Sequence, residues 1–200
     1  MVAPDEFLEA PSDTREEILA ATYRALCEHG YASLTVQRIA DEFPKSKSLL
    51  YHHYEGKDDL LLDFLSFMLD RFEETVPDAD ADEPAEALAS LVNRVLAVPL
   101  PEDRREFSEA MVELRAQAAH DPRFRDHFTN SDALFRARIA SIVRRGVETG
   151  AFREVDPEAM ATLLVATLTG TMTQRVTGEE DVAPAVREEL SRFVREYLRA

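Results

Sequence analysis

The only three lysines of the chain, Lys45, Lys47 and Lys57, all stand within residues 35–57, TVQRIADEFPKSKSLLYHHYEGK. From residue 45 to 57 the net charge is +2, while the 200 residues together carry −16. A basic patch on an acidic protein suits a phosphate-rich polyanion. The same stretch holds other groups that can donate to phosphate oxygens or base edges: Thr35, Gln37, Ser48, Tyr51, His52 and His53. Lys47 has the charge and reach for guanine O6 or N7, and Leu49 can touch a thymine methyl. The chemistry on offer is recognition of double-stranded DNA.

The elements that must position these groups are short helices. Val36, Ile39 and Ala40 share one helical face, and Pro44 ends that run because the residue before a proline is pushed out of the α region. Ser46 is expected to cap the next helix, in which Leu50 and Tyr54 lie four apart and face the core. Lys47, Ser48, Leu49, Tyr51, His52 and His53 are left for the outer face, and a major groove accepts one such helix. Lys57 opens the following helix, where a cation meets the positive end of the dipole and an anion would relieve it.

Other chemistry has little footing. Cys27 is the single cysteine and cannot form an internal disulfide, which fits a reducing cytoplasm; a small core side chain is its expected role. His120 and His127 are seven apart with Pro122 between them and no third strong ligand, so no metal is expected. His52 and His53 point to different sides of a helix. No glycine-rich phosphate loop, nucleophile elbow or paired catalytic carboxylates stand out, so neither a cofactor nor an enzyme activity is expected. The N-terminus lacks a signal-peptide pattern, and no apolar run approaches the ~18 residues that span a bilayer, so a cytoplasmic protein is expected.

Periodicity predicts an all-α chain of about nine helices, near residues 13–30, 35–44, 46–56, 57–76, 85–98, 102–119, 122–150 (with a kink at 129–131), 157–176 and 182–198. Asp13 and Glu16 form a capping-box pattern, and Pro122 and Pro157 each follow an aspartate at a helix start. Residues 1–12 read as a flexible tail, 13–56 as the nucleic-acid-binding domain and 57–200 as a second domain; residues 77–84 are an acidic linker within it.

Residues 13–62 resemble the DNA-binding domain of the tetracycline-repressor (TetR) family. The resemblance is carried by Thr14 to Ala21, by Gly30, Tyr31, Leu34, Thr35, Val36, Ile39 and Ala40, by Ser46 and Lys47, by Leu50 to Tyr54, and by Lys57 to Leu61. It implies a helix-turn-helix in which Thr35, Gln37, Lys45, Lys47, Ser48, Leu49, Tyr51, His52, His53 and Lys57 meet a palindromic operator. It also implies a homodimer and a helical ligand-binding domain whose small-molecule effector releases the repressor from DNA. The turn departs from the family's pattern, with Phe43, Pro44 and Lys45 where a small residue, a glycine and a small apolar residue are usual. The rival reading is an all-α carrier or sensor that does not regulate DNA.

In the C-terminal half, Phe64, Phe67, Met68, Phe72, Phe107, Met111, Leu114, Phe128 and Phe135 are the expected lining of a pocket for a largely apolar ligand. Ala161, Leu164, Val165, Leu168, Met172, Leu190 and Val194 are the expected dimer interface. Acid excess, with arginine strongly preferred to lysine, resembles the proteins of salt-accumulating halophiles, archaea in particular. In molar salt counterion release contributes little to DNA affinity. Discrimination is then expected to rest on shape and on base contacts from Gln37, Lys47 and Leu49.

Overall fold

A computed structural model describes residue 8 and residues 10–75, 83–100 and 102–199. Among them are nine α-helices: α1 (Thr14–Ser33), α2 (Val36–Glu42), α3 (Lys47–His53), α4 (Lys57–Thr75), α5 (Pro84–Val95), α6 (Glu102–Gln117), α7 (Pro122–Glu148), α8 (Pro157–Thr177) and α9 (Ala183–Arg192). A π-helical turn, Phe193–Leu198, follows α9. The only extended pairing among the described residues is an isolated bridge between Phe152 and Arg199. The all-α expectation holds. Most of the tail and of the acidic linker lies outside the described residues; Leu8, inside the tail, is buried.

The helices gather into two compact units. One holds α1 to α4, α6 and the first turns of α7 to residue 128; the other holds α5, the rest of α7, α8, α9 and the π turn. In the first unit, α1 starts at Asp13, whose carboxylate accepts from the Glu16 backbone N–H at 2.8 Å, while the Glu16 carboxylate accepts from the Ser12 N–H at 2.7 Å. Asp13 caps the helix as the sequence pattern suggests, but the Glu16 carboxylate reaches the N–H one residue before the cap instead of the cap's own. Buried Glu16 also pairs with Arg71 of α4 at 2.9 Å. Leu19, Leu26, Ile39, Leu50, Leu60, Leu61, Phe64, Phe107 and Phe124 fill the core. At its centre the rings of Tyr23, Phe64 and Phe107 lie 5.5 to 6.4 Å apart, fastening α1, α4 and α6 together.

Gly30 interrupts α1 with φ 64° and ψ 167°. A Cβ there would meet the Glu113 carboxylate of α6 at 3.2 Å, and that carboxylate accepts from the Tyr31 N–H at 2.6 Å. Glycine is needed both for the left-handed φ and for this approach. Gly30→Ala is expected to cost about 1–3 kcal/mol. A melting curve should show a fall of roughly 2–4 °C per kcal/mol in a chain of this size.

In the second unit, Leu88, Leu91 and Val92 of α5, Ile139, Ile142 and Val143 of α7, and Met160, Ala161, Leu164 and Leu168 of α8 are buried with Val194 and Leu198. The Phe152 ring packs onto Gly146, where an added Cβ would come within 2.0 Å of it. Arg175, 4 % exposed, sends two N–H bonds to one Asp181 oxygen, while the other oxygen accepts from the Ala183 N–H at the start of α9.

Several local expectations change. Helix α7 is helical throughout its 27 residues, with no break at 129–131, because Thr129, Asn130 and Ser131 keep their backbone within the ladder. Helix α5 closes at Val95, three residues short of the expected end. The last helix turns from α to π at Phe193. Ser46 precedes α3, but its hydroxyl meets Ser48 Oγ at 2.7 Å instead of capping the backbone.

Candidate nucleic-acid interface

The turn between α2 and α3 needs no left-handed residue, since no non-glycine residue among those described has positive φ. Phe43 is extended (φ −90°, ψ 123°) and its ring is buried, wedging the end of α2 into the core. Pro44 then fixes φ for the bend. Lys45 folds back on α1, with its ammonium 2.5 Å from Glu17 Oε2 and 3.3 Å from Thr14 Oγ1. The atypical turn is therefore braced by a buried ring and an ion pair.

Leu50 is fully buried beneath α3, while Lys47, Ser48, Tyr51, His52 and His53 are exposed. Tyr51 stands out among the large side chains at 58 % exposure. Leu49 is half-buried, and the His52 and His53 rings meet edge to face at 5.5 Å. From α2, Thr35 and Gln37 are also exposed. Thr35 caps α2 by accepting from the Arg38 N–H at 3.2 Å, so its O–H remains able to donate to a phosphate. Gln37 and Lys47 converge on one carboxylate oxygen, Asp41 Oδ1, at 2.9 and 2.5 Å.

Lys57 is placed differently from the sequence argument. It is half-buried, donates to the Tyr31 carbonyl at 3.0 Å and lies 4.2 Å from the centre of the Tyr31 ring. The unfavourable helix-start position is relieved inside the chain, so that position by itself no longer demands a phosphate. Tyr31 also donates from its hydroxyl to Asp58 and stacks edge-on against Phe124 of α7.

Tyr54, which the sequence places inward, ties α3 to a partner that the sequence did not single out. Tyr54, directly after α3, donates to Asp63 Oδ2 of α4 at 2.6 Å. Arg15 of α1 grips the same carboxylate with two N–H bonds, 2.6 and 3.1 Å. Burial pushes the Asp63 pKa up, but the hydrogen bonds from Arg15 and Tyr54 outweigh it and leave the carboxyl below its usual range. Burial and the Asp63 carboxylate push the Tyr54 phenol up, so it stays a donor. Tyr54 at i+4 from Leu50 was a visible signal; its partner nine residues on was not.

The expected pocket lining divides between the units. Phe64, Phe67, Met68, Phe72, Phe107, Leu114 and Phe128 are buried in the first; Met111 there is half-buried, and so is Phe135 in the second. Arg115 lies over the Phe128 ring at 5.0 Å. Of the expected dimer-interface residues, Ala161, Leu164, Leu168 and Val194 are buried in the chain's own core, whereas Val165, Met172 and Leu190 are half-buried. The open apolar side of α8 is instead the row of Leu163, 55 % exposed, with Ala166 and Gly170. Among the described residues no cluster of three His, Cys, Asp or Glu could hold a metal. No helix there is long and apolar enough to cross a membrane.

Residues 18–64 match the family of bacterial regulatory proteins called the tetR family, and residues 84–200 match the BetI-type transcriptional repressor C-terminal family. The chain belongs to the TetR family. As a TetR-family transcriptional regulator it is similar over most of its length to solved and curated relatives. A TetR transcription regulator from Haloarcula marismortui is 35% identical, superposes with a TM-score of 0.85, and the match covers 94% of this chain and 100% of that one. The HTH-type transcriptional repressor AcnR of Corynebacterium glutamicum is 29% identical over 175 residues, 85% of this chain and 86% of AcnR. A transcriptional regulator from Saccharomonospora viridis, solved in complex with choline, is 25% identical with a TM-score of 0.78, covering 95% and 100% of the two chains. The outward residues of α2 and α3 thus belong to the helix-turn-helix of a TetR-family regulator.

Proposed function

We propose that this TetR-family regulator is a homodimeric repressor that reads a palindromic operator through α3 and leaves it when a small, largely apolar ligand binds. The observation that carries the reading is α3 itself. It buries Leu50 and turns Lys47, Ser48, Tyr51, His52 and His53 outward from a chain that is acidic elsewhere. Two copies joined about a two-fold axis would present their reading helices one helical turn of DNA apart, about 34–36 Å. The open row Leu163, Ala166 and Gly170 on α8 supplies a small-residue face for such an isologous contact. The buried Phe and Met side chains of α4 and α6 favour an apolar effector, which acts only if it binds the DNA-incompetent state more tightly. The protein's work is then binding, not catalysis, in the cytoplasm where the operator is.

Fluorescence anisotropy with the duplex upstream of the protein's own gene tests this against a carrier that ignores DNA. The repressor should prefer that duplex to a scrambled one. Lys47→Glu should lose about 1–3 kcal/mol of affinity for it, roughly fivefold to 150-fold. Equal binding of both duplexes by the unaltered protein would sink the reading.

A further inference from the structure

Asp41 is an acidic residue in the middle of a surface that should meet a polyanion. It lies on α2, with its side chain 58% exposed, and Oδ1 accepts from Gln37 Nε2 at 2.9 Å and from Lys47 Nζ at 2.5 Å. One carboxylate therefore joins the amide that α2 offers to DNA with the cation that α3 offers. The other two lysines are held as well, Lys45 by Glu17 and Lys57 by Tyr31. No lysine of the patch faces outward without a partner in the chain. An exposed pair of this kind holds weakly, so it orders Lys47 without locking it.

Non-specific DNA binding comes almost wholly from ammonium and guanidinium groups that meet phosphates. A carboxylate in contact with Lys47 opposes this twice, by occupying the cation and by repelling the phosphate. A matched base edge is different. Guanine O6 and N7 are directional, uncharged acceptors that Lys47 can reach while Asp41 still holds the side chain in place, and Gln37 keeps its carbonyl and second N–H for an adjacent base.

We propose that Asp41 is a specificity-determining and positioning residue of the DNA-reading surface: it presets Gln37 and Lys47 as a pair and screens Lys47 from the phosphates of unmatched DNA. The proposal rests on α3 being the helix that enters the groove. It predicts that removing the acid tightens binding to the wrong DNA more than to the right DNA.

The test uses full-length protein as wild type, Asp41→Asn, Asp41→Ser, Lys47→Met and Asp41→Asn with Lys47→Met. Binding is measured by anisotropy on the duplex upstream of the protein's own gene and on a scrambled duplex, over a salt series. Asp41→Asn and Asp41→Ser should each bind the scrambled duplex about tenfold tighter and lower the ratio of specific to scrambled affinity, with the salt slope on the scrambled duplex steeper by about one. In the Lys47→Met background, Asp41→Asn should gain clearly less, because only the direct repulsion of the phosphate is then relieved. Three results overturn the proposal: an unchanged ratio, an equal gain without Lys47, or weaker binding to both duplexes alike, which would mark Asp41 as a mere brace between α2 and α3. If wild type itself shows no preference between the duplexes, the reading of α3 fails and this inference falls with it. A preference that Asp41→Asn leaves intact sinks the inference alone.

Discussion

Phe107→Ala should lower the stability of the chain by about 3–5 kcal/mol, the range for emptying a large aromatic site in a packed core. Phe107 is 2% exposed and its ring lies 5.5 Å from that of Tyr23 on α1 and 6.2 Å from that of Phe64 on α4. It is the side chain through which α6 closes the first unit. Thermal unfolding should move down by roughly 6–20 °C, at about 2–4 °C per kcal/mol. The loss combines the transfer of the ring to water with a cavity that three helices cannot collapse to fill. Because the same unit carries α2 and α3, DNA binding measured well below the melting point should weaken less than stability does. A loss below about 1 kcal/mol would mean that the cluster does not hold the unit together.

An effect on both stability and DNA reading is expected at Asp63. Asp63→Asn keeps the shape but removes the charge that Arg15 grips and Tyr54 donates to. Arg15 is half exposed and can turn to water, so the loss should be moderate, about 1–2 kcal/mol for the unpaired partners. It should also be pH-dependent. The folded carboxyl lies below its usual range, so its contribution is full above the unfolded pKa of about 3.9 and fades as pH falls through the lower folded value. Chemical denaturation of wild type and Asp63→Asn should thus differ by a constant amount from pH 5 to 8 and converge in more acidic solution. A gap that stays constant below pH 3.9, or grows there, would show that the pair contributes nothing through its charge. The functional expectation is separate. Tyr54 follows α3 immediately, so operator affinity should fall further than the Phe107 variant's for the same lost stability.

Much of this was legible in the chain because it depends on near neighbours. Asp13 and Glu16 announce the start of α1, Pro44 the end of α2, and the spacing of Leu50 and Tyr54 the inward side of α3. What was not legible depends on partners far apart in sequence. Nothing in the order of residues pairs Lys57 with the Tyr31 carbonyl 26 residues earlier, or the Tyr31 N–H with Glu113, 82 residues later. Asp63 sits among leucines and phenylalanines and reads as the solvent side of α4, although its carboxylate is the joint between α1, α3 and α4. Helix α8 is apolar on more than one side, so its small residues did not reveal which side faces in. Leu164 proved to be core and its neighbour Leu163 open surface. The turn at Phe43 and Pro44 looked like a defect because no glycine supplies a left-handed residue; a buried ring does that work by another route.

The first unit is discontinuous: α6 and the opening turns of α7 belong with α1 to α4, although α5 intervenes in the chain. For anyone building chimaeras, the acidic linker at residues 77–84 is thus a misleading place to cut. A fragment ending there would carry the complete helix-turn-helix yet lack Phe107, Glu113 and Phe124, so the Tyr23 and Phe64 rings would lose the third ring of their cluster, the Tyr31 ring its contact with Phe124, and the Tyr31 N–H its carboxylate acceptor. Operator specificity in this protein is not a detachable cartridge. It should be transplanted by exchanging the surface residues of α2 and α3 in place.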